Sequence, residues 1–279
     1  MVVPAAEAIL DKEFPVLNHG FVRLVDYLGG DARIVQAARV SYGPGTKTFR
    51  EDRALIHYLM RNRHTSPFEQ VILTFHVKLP LFVARQWIRH RTARVNEISG
   101  RYSILPDEFY LPAPDAIRYQ STRNKQGRGE EMVPPELQQR VLEILCQGQA
   151  SLYADYQALL QENIARELAR INLPLSLYTQ WYWQIDLHNL FHFLKLRLDP
   201  HAQLEIREYA RVLANITKTV APIAYEAFEE YVLYGVNFSR TEMEALRAIL
   251  RGEENPLTGR ARQLFEEKLN PAEQERPHQ

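Results

Sequence analysis

From Val71 to Lys78 the chain runs with a two-residue period. Val71, Leu73, Phe75 and Val77 fall on one side, and Ile72, Thr74, His76 and Lys78 on the other. Successive side chains of a strand point to opposite faces, so this segment is a strand with one strongly apolar face. That face has to be covered, and helical spacing elsewhere supplies the cover. Ile206, Tyr209, Leu213, Ile216 and Val220 recur at helical intervals within 200–220, where Pro222 interrupts. A helical region over 135–170 carries Leu137, Val141, Ile144, Leu145, Leu152, Tyr156, Leu159 and Leu160 as its apolar stripe.

The remaining segments fit the same plan. Residues 21–28 (FVRLVDYL) suit a strand, and Asp31 can cap a helix running to about 40. Gly43-Pro44-Gly45 breaks the chain before a helix over 50–62, and HTSPFE at 64–69 is a turn. Pro80 suits the first turn of a helix over 80–91. Residues 104–135, rich in Pro, Gly and charge, read as a long irregular connection. The aromatic run 173–185 is strand or buried loop, and a helix covers 186–196. The expected architecture is α+β, a small antiparallel sheet with long packed helices. Residues 1–240 form one functional domain, and 241–279 form a charged extension, a peripheral helix with a frayed end.

Charge and cysteine usage narrow the function. Lys+Arg and Asp+Glu each number 34, which argues against a general nucleic-acid binder. No run of 18 apolar residues exists, and the N-terminus lacks the basic region of a signal peptide. The expectation is a cytoplasmic protein without membrane contact. Cys146 is the only cysteine, so intrachain disulfides and Cys-based zinc sites are excluded. In EILCQGQA it reads as a buried packing residue, with no neighbouring His or Arg in sequence to lower its pKa.

The densest polar cluster is RQWIRHRTARVNEISGRYS at 85–103, with Arg85, Arg89, Arg91, Arg94 and Arg101. Gln86 and Arg89, three apart, share one face of a helix. Ser99-Gly100-Arg101 offers a hydroxyl, an unobstructed backbone N–H and a guanidinium, which together suit an anion. Asn96 and Glu97 add capacity for a ribose or base edge. A single such arginine reads as a solvated surface cation paired with an acid. Five together, mixed with His, Asn and Ser, read as a site. Two other readings use neighbouring residues. His188 and His192, four apart with Asp186 and His201 nearby, have the spacing of a metal site and hence of a metallohydrolase. The arginines with Trp87 and Tyr102 offer charge and stacking for single-stranded RNA. Tyr178, Trp181, Tyr182 and Trp183 are core, interface or a stacking surface. No GxGxxG turn is present, which argues against a Rossmann cofactor fold.

Arg89-His90-Arg91, seven residues and then Ser99 reproduce an RHR-x7-S signature, with Arg94 inside the seven. On it the chain resembles the flavin-dependent thymidylate synthases. ARVSY at 38–42, HTSPFE, FHVKLPLFVARQW at 75–87, ARINLPLSLYTQWYW at 169–183 and LRLDPHAQLEIR at 196–207 extend the likeness over about 20–240. The resemblance implies methylation of dUMP to dTMP, with 5,10-methylenetetrahydrofolate as carbon donor, FAD as hydride carrier and NADPH as reductant. It implies homotetramers with active sites shared between subunits, and no metal. By resemblance Gln86, Arg89, Glu97, Ser99, Gly100, Arg101, Arg170 and Arg197 hold dUMP, and Arg197 polarises the uracil ring as the catalytic cation. The alternative for Arg197 is a helix C-terminal cation satisfying carbonyls. Ser66, Arg89, His90, Arg91, Glu97, Asp186, His188 and His192 match flavin positions, with His64 near the ring. The other thymidylate synthase family attacks uracil with a cysteine. The setting of Cys146 favours the route without one, in which the cofactor carries the hard chemistry and the protein supplies orientation and charge.

Overall fold

A computed structural model describes residues 2–40, 49–122 and 126–270. In chain order the elements are α1 (Pro4–Glu7), β1 (Glu13–Val16), β2 (Gly20–Leu28), α2 (Asp31–Ala38), α3 (Phe49–Arg61), β3 (Ile72–Pro80), α4 (Leu81–Trp87) and β4 (Arg94–Glu97). A hairpin follows, β5 (Arg118–Gln120) and β6 (Arg128–Met132). Then come α5 (Pro135–Gln161), α6 (Arg166–Ala169), β7 (Tyr178–Asp186), α7 (Leu187–Arg197), α8 (Leu204–Val220), α9 (Pro222–Phe228), α10 (Arg240–Leu250) and α11 (Gly259–Leu269). The Gly43-Pro44-Gly45 break lies outside the described residues. No described helix is long and apolar enough to cross a membrane.

The main sheet has five strands in the order β1-β2-β3-β7-β4, every pair antiparallel. The aromatic run is therefore a strand, held between β3 and β4. Phe75 pairs with Trp183, Val77 with Trp181 and Leu73 with Ile185, so the apolar residues of both strands share one face. Val71, Leu73, Phe75, Val77 and Leu79 are fully buried there. Trp87 from α4 and Phe193 from α7 cap this face, their rings 5.1 and 5.3 Å from Trp183. The opposite face is polar and aromatic. His76 stacks on Tyr182 at 4.9 Å and meets Arg23 Nη2 at 2.8 Å.

Several elements depart from the sequence expectation. The helix after β3 stops at Trp87, not 91, because the next bonds tighten to three-residue turns: Arg89 N donates to Gln86 O and His90 N to Trp87 O. The RHR segment is thus a loop at a helix end. The irregular 104–135 connection contains the β5–β6 hairpin, whose polar strands carry no apolar alternation. The 135–170 helix is broken after Gln161 at Asn163, which adopts φ 58, a left-handed conformation that asparagine tolerates. Asp31 does not cap its own helix. Its two carboxylate oxygens accept from Ile223 N and Ala224 N, each at 2.9 Å, and so cap α9 behind Pro222.

Cys146 is exposed, not buried. The long α5 buries only Gln149, Tyr153 and Tyr156, and stripe positions such as Ile144 lie open at 60% exposure. Beyond 240 there are two described helices in place of the single one expected. Ala245 and Phe265 of these helices pack together with Leu257 of the connection between them.

Candidate active site

Helix α7 positions the central cation. Asp186 caps its start, accepting from Asn189 N at 2.9 Å and Asn189 Nδ2 at 2.7 Å. Both carboxylate oxygens of Asp186 are thereby engaged with Asn189. The helix then carries His188, His192 and, at its last residue, Arg197. Arg197 Nε donates to His90 Nε2 at 3.0 Å, so this guanidinium reaches across to the RHR loop rather than back to helix carbonyls. Burial, the Arg197 charge and the His192 ring lower the His90 pKa to about 4. At neutral pH His90 is therefore an uncharged acceptor toward Arg197, with its remaining proton on Nδ1. Burial also lowers the Arg197 pKa, but a guanidinium remains charged at any working pH. No carboxylate among the described residues pairs with it. Arg197 is thus a part-buried cation with no counter-ion among the described residues.

The surrounding arginines share that condition. The guanidinium groups of Arg85, Arg89, Arg91 and Arg94 make no hydrogen bond or ion pair with a described residue. Of the five arginines in the block, only Arg101 pairs with an acid among the described residues, Glu167 at 3.0 Å. This is not a solvated loop of matched surface ion pairs.

After β4 the chain turns over a cleft of about 380 Å³, within the range of small-molecule sites. Glu97, Gly100, Arg170, Tyr178 and Thr179 line it. Thr179 Oγ1 donates to Glu97 Oε1 at 2.6 Å, which fixes the carboxylate from β7. Ser99 Oγ accepts from Arg101 N at 3.3 Å and shapes the turn. Gly100 is buried, and a Cβ there would lie 3.1 Å from both Cδ and Nη1 of Arg170. The absent side chain is what lets Arg170 lie against this backbone.

The expected site residues thus form two groups in one chain. Glu97, Gly100 and Arg170 line the cleft, and Arg101 borders it through its ion pair with the lining residue Glu167, with Ser99 holding the turn between them. His90 meets Arg197 and His192 of α7, and Arg89 and Arg91 flank His90 in the RHR loop. Gln86 is apart from the cleft lining, and its Nε2 donates to Gln203 Oε1. Ser66 and His64 are on the turn before β3, which packs on α7 through Phe68 and Phe191 at 6.5 Å. His64 meets Tyr58 edge-on at 5.8 Å. No described group of three His, Cys, Asp or Glu side chains could hold a metal ion, so the His188–His192 spacing gains no support as a metal site. Sequence reasoning missed Thr179, Gln203 and Glu205. Glu205 looks like an ordinary first-turn acid of α8, yet it is fully buried. An acid leading straight into the Ile206 stripe was the available signal.

The family described as "Thymidylate synthase complementing protein" matches residues 23–223, and "Thymidylate synthase ThyX C-terminal domain" matches 236–274. The likeness therefore extends past residue 240. The flavin-dependent thymidylate synthase of Treponema denticola is 64% identical over 265 residues, covering 95% of this chain and 100% of that protein. One from Thermus thermophilus is 61% identical over 239 residues, 86% of each chain. The crystal structure of a UMP/dUMP methylase, PolB from Streptomyces cacaoi, bound with 5-Br dUMP, superposes with a TM-score of 0.71 at 33% identity. It covers 78% of this chain and 98% of that one. Sequence, fold and an arginine-rich loop in which four of five guanidinium groups lack a described counter-ion agree, and the chain belongs to the flavin-dependent thymidylate synthase family.

Proposed function

We propose that this protein methylates dUMP to dTMP, taking the one-carbon unit from 5,10-methylenetetrahydrofolate, with FAD as hydride carrier and NADPH as reductant. The observation that carries the reading is Arg197: part-buried, without an acid among the described residues, and held by a neutral His90. A cation so fixed stabilises negative charge developing on the pyrimidine O4/N3 edge without reorganising, which is electrostatic catalysis. His90 orients Arg197 through Nε and leaves the two Nη groups for the nucleotide.

The residues also fit a flavin dinucleotide. Arg89 and Arg91 have no partner among the described residues and are cations suited to a pyrophosphate. With Ser66, His90, Glu97, His188 and His192 they would hold FAD. Asp186 would contribute by capping α7, because its carboxylate is already engaged with Asn189. When bound, FAD supplies the hydride that completes the methyl group. Gln86, Arg89, Glu97, Ser99, Gly100, Arg101 and Arg170 would grip dUMP. Ser99 is assigned to binding and not to nucleophilic attack, and its Oγ, which accepts from the Arg101 backbone, still carries a proton to donate. Two residue groups in one chain fit a homotetramer in which neighbouring subunits complete each site. Open apolar side chains such as Ile171 at 77% and Leu175 at 61% exposure suit such contacts. No cysteine nucleophile is assigned, because Cys146 lies on α5, which contributes no lining to the cleft.

Omission assays test this directly. Formation of dTMP should require dUMP, the folate donor, NADPH and bound FAD, and Cys146→Ala should retain substantial turnover. Complete loss in a folded Cys146→Ala protein would overturn the cysteine-free route. Turnover in protein stripped of flavin would overturn the role of FAD.

A further inference from the structure

Glu205 is an acid with no exposed surface, and it accepts three hydrogen bonds. Tyr110 Oη at 2.7 Å and Arg128 Nη2 donate to Oε1, and Gln203 Nε2 donates to Oε2 at 2.8 Å. Burial alone would raise its pKa. The bonds from Arg128 and Tyr110 outweigh that and hold it below the usual carboxylate value, so it is ionised at neutral pH. A buried ion pair is a poor source of stability, because well-packed apolar residues often serve as well or better. Its placement therefore calls for another role. That role lies at the far end of the Gln203 amide, whose Oε1 accepts from Gln86 Nε2.

We infer that Glu205 is a positioning residue, which acts through Gln203 to fix the orientation of the Gln86 carboxamide, so that Gln86 offers its carbonyl oxygen to a hydrogen-bond donor of the nucleotide. The inference rests on the reading of Gln86 as a dUMP contact. Its logic is directional. An ionised carboxylate only accepts, so Gln203 must present Nε2 to it. Gln203 then presents Oε1 to Gln86, and Gln86 spends Nε2 on that bond. Gln86 Oε1 has no side-chain partner among the described residues and is left as an acceptor. Neither amide can flip without breaking a bond. Arg128 belongs to β6, so the same carboxylate also ties the hairpin to α8.

The test is a mutant cycle on the flavin-loaded enzyme. Glu205→Gln keeps the volume but can donate as well as accept, so the relay loses its direction. It should raise the KM for dUMP about tenfold, the worth of one hydrogen bond in a desolvated site, with kcat and flavin content near wild type. Gln203→Met breaks the relay while leaving Tyr110 and Arg128 on Glu205, and it should do the same. In a Gln86→Ala background neither change should add more than about twofold, because the residue they orient is gone. A KM rise of equal size in both backgrounds overturns the relay. So does an unchanged KM in Gln203→Met, which decides the matter even where Glu205→Gln fails to fold. Gln86→Ala with an unchanged KM overturns the placement of Gln86 at the nucleotide itself.

Discussion

Replacing Arg197 by alanine separates two pictures of the site. A unit charge about 4 Å from the developing charge is worth about 1 kcal/mol in water, but about 4 kcal/mol at the effective dielectric of about 20 found near protein surfaces. The first corresponds to about a fivefold loss of kcat, the second to about a thousandfold. Arg197 is part-buried and has no acid partner among the described residues, so its field is neither neutralised nor fully screened, and the larger loss is expected. Flavin binding should survive, since Arg89 and Arg91 are untouched. The measurement is kcat at saturating dUMP, beside the visible absorbance of the purified variant. A second readout follows from His90. Its pKa is held at about 4 by burial first and by the Arg197 charge next, so the substitution should raise it. The imidazole proton resonances report that shift. A kcat loss below about tenfold, with flavin bound and the fold intact, would refute the electrostatic role.

Gly100→Ala places a Cβ 3.1 Å from Cδ and Nη1 of Arg170, so that side chain must give by a fraction of an ångström. The KM for dUMP should rise by about threefold to tenfold with little change in flavin content, and an unaltered KM would remove Arg170 from the nucleotide. His90 binds its proton less tightly in the folded state, about 4 against 6.5 for the unperturbed group. The unfolded chain therefore holds more protons between those values, and this contribution to stability is present above 6.5 and lost as pH falls through 4. Urea midpoints from about pH 4 to 7 should show a slope that flattens in His90→Asn, whereas a His90 titration centred near its ordinary value would contradict the assignment. Asp31→Ala leaves two backbone N–H groups of α9 uncapped and should cost about 1–2 kcal/mol in denaturant unfolding. An unchanged midpoint would mean that water replaces the cap at no cost.

The sheet was legible where periodicity and burial coincide. Alternation at 71–78 marks a strand with its apolar side inward, and Trp181 and Trp183 lie on that same face of the sheet. The same reasoning failed for Cys146, because helical spacing tells which residues share a face and not whether anything covers it. The β5–β6 hairpin was invisible because its strands are short, polar and without apolar alternation. At the site, RHR-x7-S was readable because its residues are neighbours in sequence. The Arg197–His90 bond spans 107 positions and Asp31–Ala224 spans 193, and no local pattern encodes either. Glu205 was hidden by a position that looks like routine helix-dipole matching.

In the proposed reaction the arginines of the 89–101 segment, with Arg170 and Arg197, hold a nucleotide against a flavin. The most direct test of this is a dUMP titration of the purified protein, followed in the visible flavin band. The expected result is a yellow protein whose spectrum shifts saturably with dUMP and loses that response in Arg101→Ala or Arg170→Ala. A colourless protein with no affinity for added FAD, or a dUMP response indifferent to both substitutions, would contradict it.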